Sequence, residues 1–382
     1  MNFDIKIARE IETPFYWYDI KLLNETLDVI SESIGESPIK MHYAVKANGD
    51  PEILKIIARK GMGADCVSGG EIEASLKAGF KPESICYACV GKTDKEIRRA
   101  LEIGIGCFNV ESLEELEIIS EHAKSLGCTA PVALRVNPNI DAHTHHYITT
   151  GLEENKFGID LSRLDSAVEK AANDNSLHLI GLHFHIGSQI TIMEPFEVLC
   201  EKINGLIARY REKGIEFSSI NVGGGLGIDY EDPDGHPIPP FKDYFNSLKK
   251  GIRLSEGQEI HCELGRSVVA QCGSLITKVT LVKNGVGKKF IILDAGMNDL
   301  IRPALYQAHH KIENLSATPG APLEKYDVVG PVCESSDCFG CDELLPLTHR
   351  GDVFALRSAG AYGQSMASTY NMRPLVRAVL SE

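Results

Sequence analysis

From residue 40 onward, short apolar runs alternate with polar stretches in which apolar residues recur at helical i, i+3, i+4 spacing. The runs are HYAVKAN (42–48), MGADCVS (62–68), SICYACV (84–90), GCFNV (106–110), VALRVNP (132–138), LIGLHFHIGS (179–188), SINVGGG (219–225) and IHCELGR (260–266). Between them lie stretches such as PEILKIIARKG and SLEELEIISEHAKSLG, each ending on glycine as a helix does. Eight strands, each followed by a helix, predict a (β/α)8 TIM-type barrel. A doubly wound open sheet fits less well, because no G-x-G-x-x-G follows the first strand. After about residue 268 the pattern changes. GSLITKVTLVKNG, KKFIILDAG, YDVVGPVCE and DVFALRSAG read as strands joined by turns, a mostly antiparallel β domain. TPFYWYD (13–19) has strand character without a barrel helix of its own and is expected to join that domain. The expected organisation is 1–35 packing with the β domain, 36–267 as the barrel and 268–382 as the β domain.

Polar residues interrupt the apolar runs at their C-terminal ends, where such barrels carry their chemistry. In order these are Lys46, Asp65, Arg135, His185 with Ser188, Gly223-Gly224-Gly225, and Glu263 with Gly265 and Arg266. Lys46 either snorkels its ammonium to water or sits in a dry pocket as a Schiff-base lysine. Asp65 alone could cap a turn, and Arg135 alone could pair with a carboxylate. Three consecutive glycines after the seventh strand offer adjacent backbone N–H groups to an anion, in the region where barrels bind phosphate. Glu263 must be paired at this depth, either with Arg266 or with a protonated ring nitrogen whose proton it holds. His183 and His185 lie two apart, a spacing that suits a metal pair or an imidazole stacked on a planar cofactor. Further metal ligands are hard to find: His143, His145 and His146 fall in a polar loop, and Cys338-Phe339-Gly340-Cys341 is a C-x-x-C without a second pair. A lysine, a phosphate nest, a stacking imidazole and a carboxylate for a pyridinium together describe pyridoxal 5′-phosphate as cofactor, with no metal.

Composition narrows the partners. A formal charge of −14 disfavours a nucleic-acid partner, which needs a concentrated basic surface. No apolar run reaches membrane-spanning length, and MNFDIKIARE lacks the apolar core of a signal peptide. Eleven scattered cysteines suit free thiols in a reducing cytoplasm better than a disulfide framework.

The motifs HYAVKAN, GADCVSGGE, VGKTDKEI, CFNVES, RVNPNIDAHTH, TGLEENKFGI, GLHFHIGSQI, NVGGGLGI, ELGRSVVA, DAGMNDLIRPALY, GPVCESSD and GAYGQSMASTYN run in one order over nearly the whole chain. In that order they resemble the diaminopimelate decarboxylases. These belong to the alanine-racemase-like barrel group of pyridoxal phosphate enzymes, with ornithine and arginine decarboxylases. The resemblance implies decarboxylation of meso-2,6-diaminopimelate to L-lysine and CO2, the last step of lysine biosynthesis. It implies that Lys46 carries the cofactor, His185 stacks on its ring, and Ser188 and the glycines from Gly223 help hold its phosphate. Glu263 would meet the pyridine nitrogen, Arg266, Arg302 and Tyr306 would bind substrate carboxylates, and Tyr362 would close the site. Cys333 and Glu334 would reach in from the partner subunit of a homodimer with shared active sites. Arg302 and Glu334 suit the distal carboxylate and amine of diaminopimelate, whereas ornithine would call for an acid alone. Decarboxylation of another basic amino acid, a metal-dependent hydrolase and a non-catalytic pyridoxal phosphate protein remain the alternatives. A racemase on this barrel would lack Glu263. Three departures stand out: the family usually has proline where Leu264 stands, YNMRPLVRAVLSE lacks the usual R-P-x-E continuation after its first proline, and CFGCDELLPLTHR is unusual at its cysteines.

Overall fold

The computed structural model describes residues 3–140 and 156–381, so His143, His145 and His146 lie outside the described residues. The chain forms two compact units. One comprises Leu27–Gly227 and Pro240–Gly265; the other comprises Met1–Thr26, Ile228–Pro239 and Arg266–Glu382.

The first unit holds a closed barrel of eight parallel strands. After β1 (Phe15–Tyr18), which belongs to the other unit, these are β2 (Ile39–Ala44), β3 (Gly63–Cys66), β4 (Ile85–Ala88), β5 (Cys107–Val110), β6 (Ala130–Arg135), β7 (Leu177–His183), β8 (Ser219–Asn221) and β9 (Glu259–Leu264). Each lies within, or overlaps, one of the eight apolar runs. The ring closes through β2 and β9, with His42 opposite Glu263 and Tyr43 opposite Leu264. Side-chain caps start the barrel helices where the sequence turns polar. Asp50 accepts from the N–H groups of Glu52 and Ile53 at 2.9 and 3.3 Å, ahead of the helix Pro51–Arg59. Thr93 and Glu96 form a capping box on Asp94–Ile103. The inward faces of these helices, such as Ile53, Leu54 and Ile57, are fully buried, each side chain contributing about 1.5–3 kcal/mol of burial.

Asp65, Arg135 and Glu263 lie within β3, β6 and β9, whereas β2, β7 and β8 stop short of Lys46, His185 and the glycine run. β2 ends at Ala44, and a single 3-10 turn, Val45–Ala47, carries Lys46 past the strand rather than on its last inward position. β7 ends at His183, so His185 lies beyond the strand and does not share a strand face with it.

The second unit is an eight-stranded, mostly antiparallel sheet. Its remaining strands are β10 (Gly273–Asn284), β11 (Lys289–Leu293), β12 (Ile312–Asn314), β13 (Leu323–Val329), β14 (Cys338–Pro346), β15 (Val353–Leu356) and β16 (Ala378–Leu380). The N-terminal strand joins it: β1 pairs antiparallel with β10 and parallel with β16. Phe15 and Trp17 of β1 pack with Ile276, Val353 and Ala355 in its core. The segment Ile228–Pro239 belongs to this unit although it follows the barrel's glycine run. Charge ties it there, since both Nη atoms of Arg357 hold the Asp234 carboxylate at 3.0 and 2.8 Å. Among the described residues no helix is long and apolar enough to cross a membrane, and all eleven cysteines are free thiols.

Removing the cap at Asp50 tests the link between the Lys46 turn and the helix that follows it. Asp50→Ala is expected to cost about 1 kcal/mol, read as a lower denaturation midpoint, while Asp50→Asn keeps most of it.

Candidate active site

At the C-terminal end of the barrel, Lys46 Nζ lies 3.7 Å from Asp65 Oδ2. The lysine side chain is 41% exposed and the aspartate 1%, so the amine is reachable and its counter-charge is not. Asp65 stands directly opposite Ala44 in the β2–β3 ladder, which sets it beside the turn. Burial pushes its carboxyl up to about 7; the charge of Glu263 adds to this and Lys46 opposes it. Asp65 Oδ1 is buried without a hydrogen-bond partner among the described residues.

Glu263, the penultimate residue of β9, lies on the other side of the ring closure. Oε1 accepts from Asn109 Nδ2 at 3.0 Å and Asn221 Nδ2 at 2.7 Å, and Oε2 lies 2.9 Å from His183 Nε2. Burial pushes this carboxyl up, but the charge and hydrogen bond of His183 overcome it and hold Glu263 well below the usual carboxylate range. A carboxylate has about four lone-pair sites, so three donors leave one for a further N–H. With Nε2 donating to Glu263, His183 keeps a buried Nδ1 that has no partner.

His185 is a different kind of imidazole. Burial, then the nearby charges of Arg135 and Lys46, hold it well below its ordinary range and therefore neutral. Its Nδ1 accepts the Gly224 N–H at 3.2 Å. Gly223 donates to Asn221 Oδ1 at 2.9 Å. Two of the three N–H groups expected to face an anion are thus engaged inside the protein, and Gly225 is the glycine of the run whose N–H lacks a partner among the described residues. The run is shaped by close approach: a Cβ on Gly223, where φ is +70°, would lie 2.2 Å from the Phe184 carbonyl oxygen. On Gly224 it would lie 2.1 Å from that of Glu263. Ser188 is half-buried in the loop after His185, and Ile190 bridges that loop to Leu226 beyond the glycines. Arg135 ends β6 with Nη1 2.5 Å from Glu111 Oε1 and its guanidinium 4.8 Å from the Phe157 ring centroid.

This donor set fits pyridoxal 5′-phosphate. Lys46 supplies an amine, His185 a neutral planar ring, Glu263 an ionised carboxylate with one acceptor site in reserve, and the glycine run a side-chain-free wall beside Ser188. His183 and His185 do not converge on a metal, because one faces Glu263 and the other Gly224. Among the described residues no group of three or more His, Cys, Asp or Glu is placed to hold a metal ion.

The other candidate residues lie in the β unit. Arg266 Nη1 donates to the Tyr230 hydroxyl at 2.6 Å, and its guanidinium lies 4.9 Å from the Tyr362 ring centroid. Tyr362 is held at φ +57°, an uncommon conformation for a residue with a side chain. Arg302 starts the short helix Arg302–Tyr306, is buried, and lies 4.9 Å from the face of Tyr230. Its Nη1 is 2.7 Å from His310 Nε2, and His310 Nδ1 is 2.8 Å from the Arg357 carbonyl oxygen. Burial, then Arg302, push His310 down to about 3, so the ring is neutral, donates from Nδ1 and accepts from Arg302. Tyr306 is half-buried at the end of that helix. Cys333 and Glu334 are exposed; the Cys333 N–H donates to Asn371 Oδ1 at 3.1 Å and Glu334 accepts from the Tyr370 hydroxyl at 2.6 Å.

Asn109, Asn221, Tyr230 and His310 carry none of the motif signals used in the sequence reading, although Asn109 and Asn221 sit inside quoted runs. In a strand, an inward asparagine looks like any other strand residue until its partner across the barrel is known.

The pH dependence of the apo protein reports on Asp65. A carboxyl raised to about 7 in the folded chain against 3.8 when unfolded stabilises the fold while protonated. That contribution is full below pH 4 and is lost as pH rises toward 7. Relative to Asp65→Asn, the wild type is expected to lose on the order of a few kcal/mol across this window, followed by denaturation midpoints at each pH.

The chain is similar to known proteins along its whole length. The family described as "Pyridoxal-dependent decarboxylase, pyridoxal binding domain" matches residues 21–270. A diaminopimelate decarboxylase of Bacteroides thetaiotaomicron is 54% identical over 381 residues, covering 100% of this chain and 98% of that protein. One of Zymomonas mobilis is 43% identical over 378 residues, covering 98% and 89%. The crystal structure of diaminopimelate decarboxylase from Helicobacter pylori complexed with L-lysine superposes with a TM-score of 0.93 at 41% identity, covering 99% of this chain and 93% of that one. The chain belongs to the diaminopimelate decarboxylases, within the pyridoxal-dependent decarboxylase family.

Proposed function

We propose that this chain decarboxylates meso-2,6-diaminopimelate to L-lysine and CO2 with pyridoxal 5′-phosphate. The observation that carries the reading is Glu263, a buried carboxylate kept ionised by three donors at the same barrel end as a reachable lysine. When bound, the cofactor supplies an aldehyde for amines and an electron-withdrawing ring that accepts the electrons left as CO2 departs. Lys46 is the amine that would hold the aldehyde, with Asp65 as its counter-charge. Glu263 would keep a proton on the ring nitrogen, His185 would pack against the ring without competing for that proton, and Gly225 with Ser188 would meet the phosphate.

The β unit supports the choice of substrate. Arg302 is oriented toward a carboxylate-binding role, because Tyr230 covers its face and a neutral His310 fixes one nitrogen without neutralising it. Arg266 is oriented in the same way by Tyr230 and Tyr362. We also read the protein as an isologous homodimer in the cytoplasm. Cys333 and Glu334 are exposed, and Tyr370, Met372 and Leu375 on the neighbouring segment leave 46, 96 and 60% of their surface uncovered. A second copy that covers this apolar patch would receive Cys333 and Glu334 at its own site.

Incubation with pyridoxal phosphate and meso-diaminopimelate should release CO2 and lysine, and Lys46→Ala should abolish both together with the protein's visible absorption band. Faster turnover of ornithine, arginine or lysine would overturn the substrate assignment. Arg302→Ala is expected to raise the KM for diaminopimelate about tenfold to a hundredfold, the scale of one lost charge-assisted pair. Glu263→Gln is expected to lower kcat by orders of magnitude with a smaller change in KM.

Sharing of sites is tested by mixing. Lys46→Ala and Cys333→Ala homodimers should each be nearly inactive. After unfolding and joint reassembly, half the dimers pair one of each chain, with one intact site of two, so roughly one quarter of wild-type activity should return. No recovery despite demonstrated subunit exchange would place Cys333 outside the partner's site.

A further inference from the structure

The C-x-x-C segment has no part in the site described above. Cys338 and Cys341 both lie on β14, where an ordinary strand would hold residues three apart far from contact. Their sulfurs are nevertheless 3.4 Å apart. The pairing with β13 explains how. Val329 faces Cys338, Val328 faces Gly340 and Tyr326 faces Glu343, with a register shift at each step. Two bulges therefore crowd extra residues into β14 along this stretch, and Asp342 just after it has φ +55°. Asp327 anchors the bulge, accepting the Asp342 N–H at 2.9 Å while Lys288 holds its other oxygen at 2.7 Å.

We propose that Cys338 and Cys341 are a reversible dithiol–disulfide site that reacts with low-molecular-weight disulfides, and that closing it loosens the loop carrying Cys333 and Glu334. Cys341 is exposed and lies within the field of Lys288, so it is the sulfur that a small disulfide meets first. Cys338 is half-buried, and burial, then Cys341, push its thiol up to about 12. In the first step the Cys341 thiolate attacks one sulfur of the small disulfide; that S–S bond breaks, and the leaving thiolate takes up the proton Cys341 gave up. In the second step the Cys338 sulfur attacks Cys341 Sγ, the mixed disulfide breaks, and the second leaving thiolate takes the Cys338 proton. Two protein thiols are oxidised and one small disulfide is reduced to two thiols.

The coupling to the loop runs through the residue before Cys338. Asp337 is buried, and its two oxygens accept the N–H groups of Met297 and Val332, each at 2.6 Å. The Cys338 N–H donates to Ser336 O at 2.8 Å. Forming a bond of about 2.05 Å requires the sulfurs to close by about 1.4 Å, and the backbone of Cys338 moves against that clasp.

The test uses the holoenzyme with reduced thiols, exposed to oxidised glutathione and then alkylated. Wild type is expected to lose two alkylatable thiols per chain and two hydrogens in mass, with fragment ions locating the bond between Cys338 and Cys341, and dithiothreitol restoring both. Cys338→Ser should instead keep glutathione on Cys341, for lack of a resolving thiol. A persistent glutathione adduct on Cys341 in the wild type, or a cross-link to Cys333, would overturn the site. A Cys333→Ser background keeps the bond assignment free of that third thiol. Hydrogen exchange of the Met297 and Val332 amides should quicken on oxidation, and not in Cys341→Ser. Unchanged exchange in the oxidised wild type would overturn the coupling to the loop.

Discussion

Glu263 is the constraint on which the barrel end is built. A carboxylate at 7% exposure would cost several kcal/mol if left alone and ionised, so the surrounding strands each supply a donor. Asn109 comes from β5, Asn221 from β8 and His183 from β7, and all three reach the carboxylate that closes β9. Those strands hold their residues inward only in the register that closes the barrel; a one-residue slip in any of them would turn its donor outward. The network that keeps Glu263 charged is therefore also a check on correct barrel assembly. His183 donates in this arrangement, and its Nδ1 has no partner among the described residues.

A second constraint governs the β unit, where two arginines lie against aromatic rings in a chain of net charge −14. Arg266 is oriented by two tyrosines and Arg302 by a tyrosine and a neutral histidine. Arg357, by contrast, is fully neutralised by Asp234 and Glu313. Aromatic faces and a neutral imidazole orient a guanidinium without supplying a counter-charge, the feature on which the proposed carboxylate-binding role of Arg302 rests. Arg302 and His310 depend on each other, since burial of the ring makes it neutral and neutrality makes it an acceptor.

The fold was legible because periodicity and caps agree. Every barrel strand falls in or across a short apolar run, and the caps at Asp50, Ser68, Thr93 and Ser112 fall where polar residues precede helical spacing. What could not be read was pairing between distant residues. Lys46 looked like the last position of a strand because VKA is apolar around it, but the chain had already left the ladder for a turn. His183 and His185 looked like neighbours on one face, yet strand pairing stops between them and their partners differ. The glycine run promised three donors to an anion, whereas Asn221 and His185 take two of them. The excursion Ile228–Pro239 read as barrel because its own composition is that of a loop, and its allegiance is decided by Arg357, far along the chain.

Leu264 brings these threads together at the ring closure. The family usually carries proline after the glutamate, and a proline there would have no N–H to offer a ladder. In this chain β9 continues through Leu264, which is buried and paired with Tyr43 of β2. The next residue, Gly265, packs so closely on the Lys46 turn that a Cβ would lie 2.9 Å from Ala47 Cβ and 3.0 Å from Ala44 Cβ. Small residues on both sides of this contact let the end of β9 press directly against the turn that presents Lys46. The spacing between the backbones that carry Lys46 and Glu263 is thus fixed by strand pairing and alanine–glycine contact. Leucine keeps a backbone N–H that proline lacks, so this departure from the family pattern is compatible with continued pairing of β9 and β2 at the ring closure.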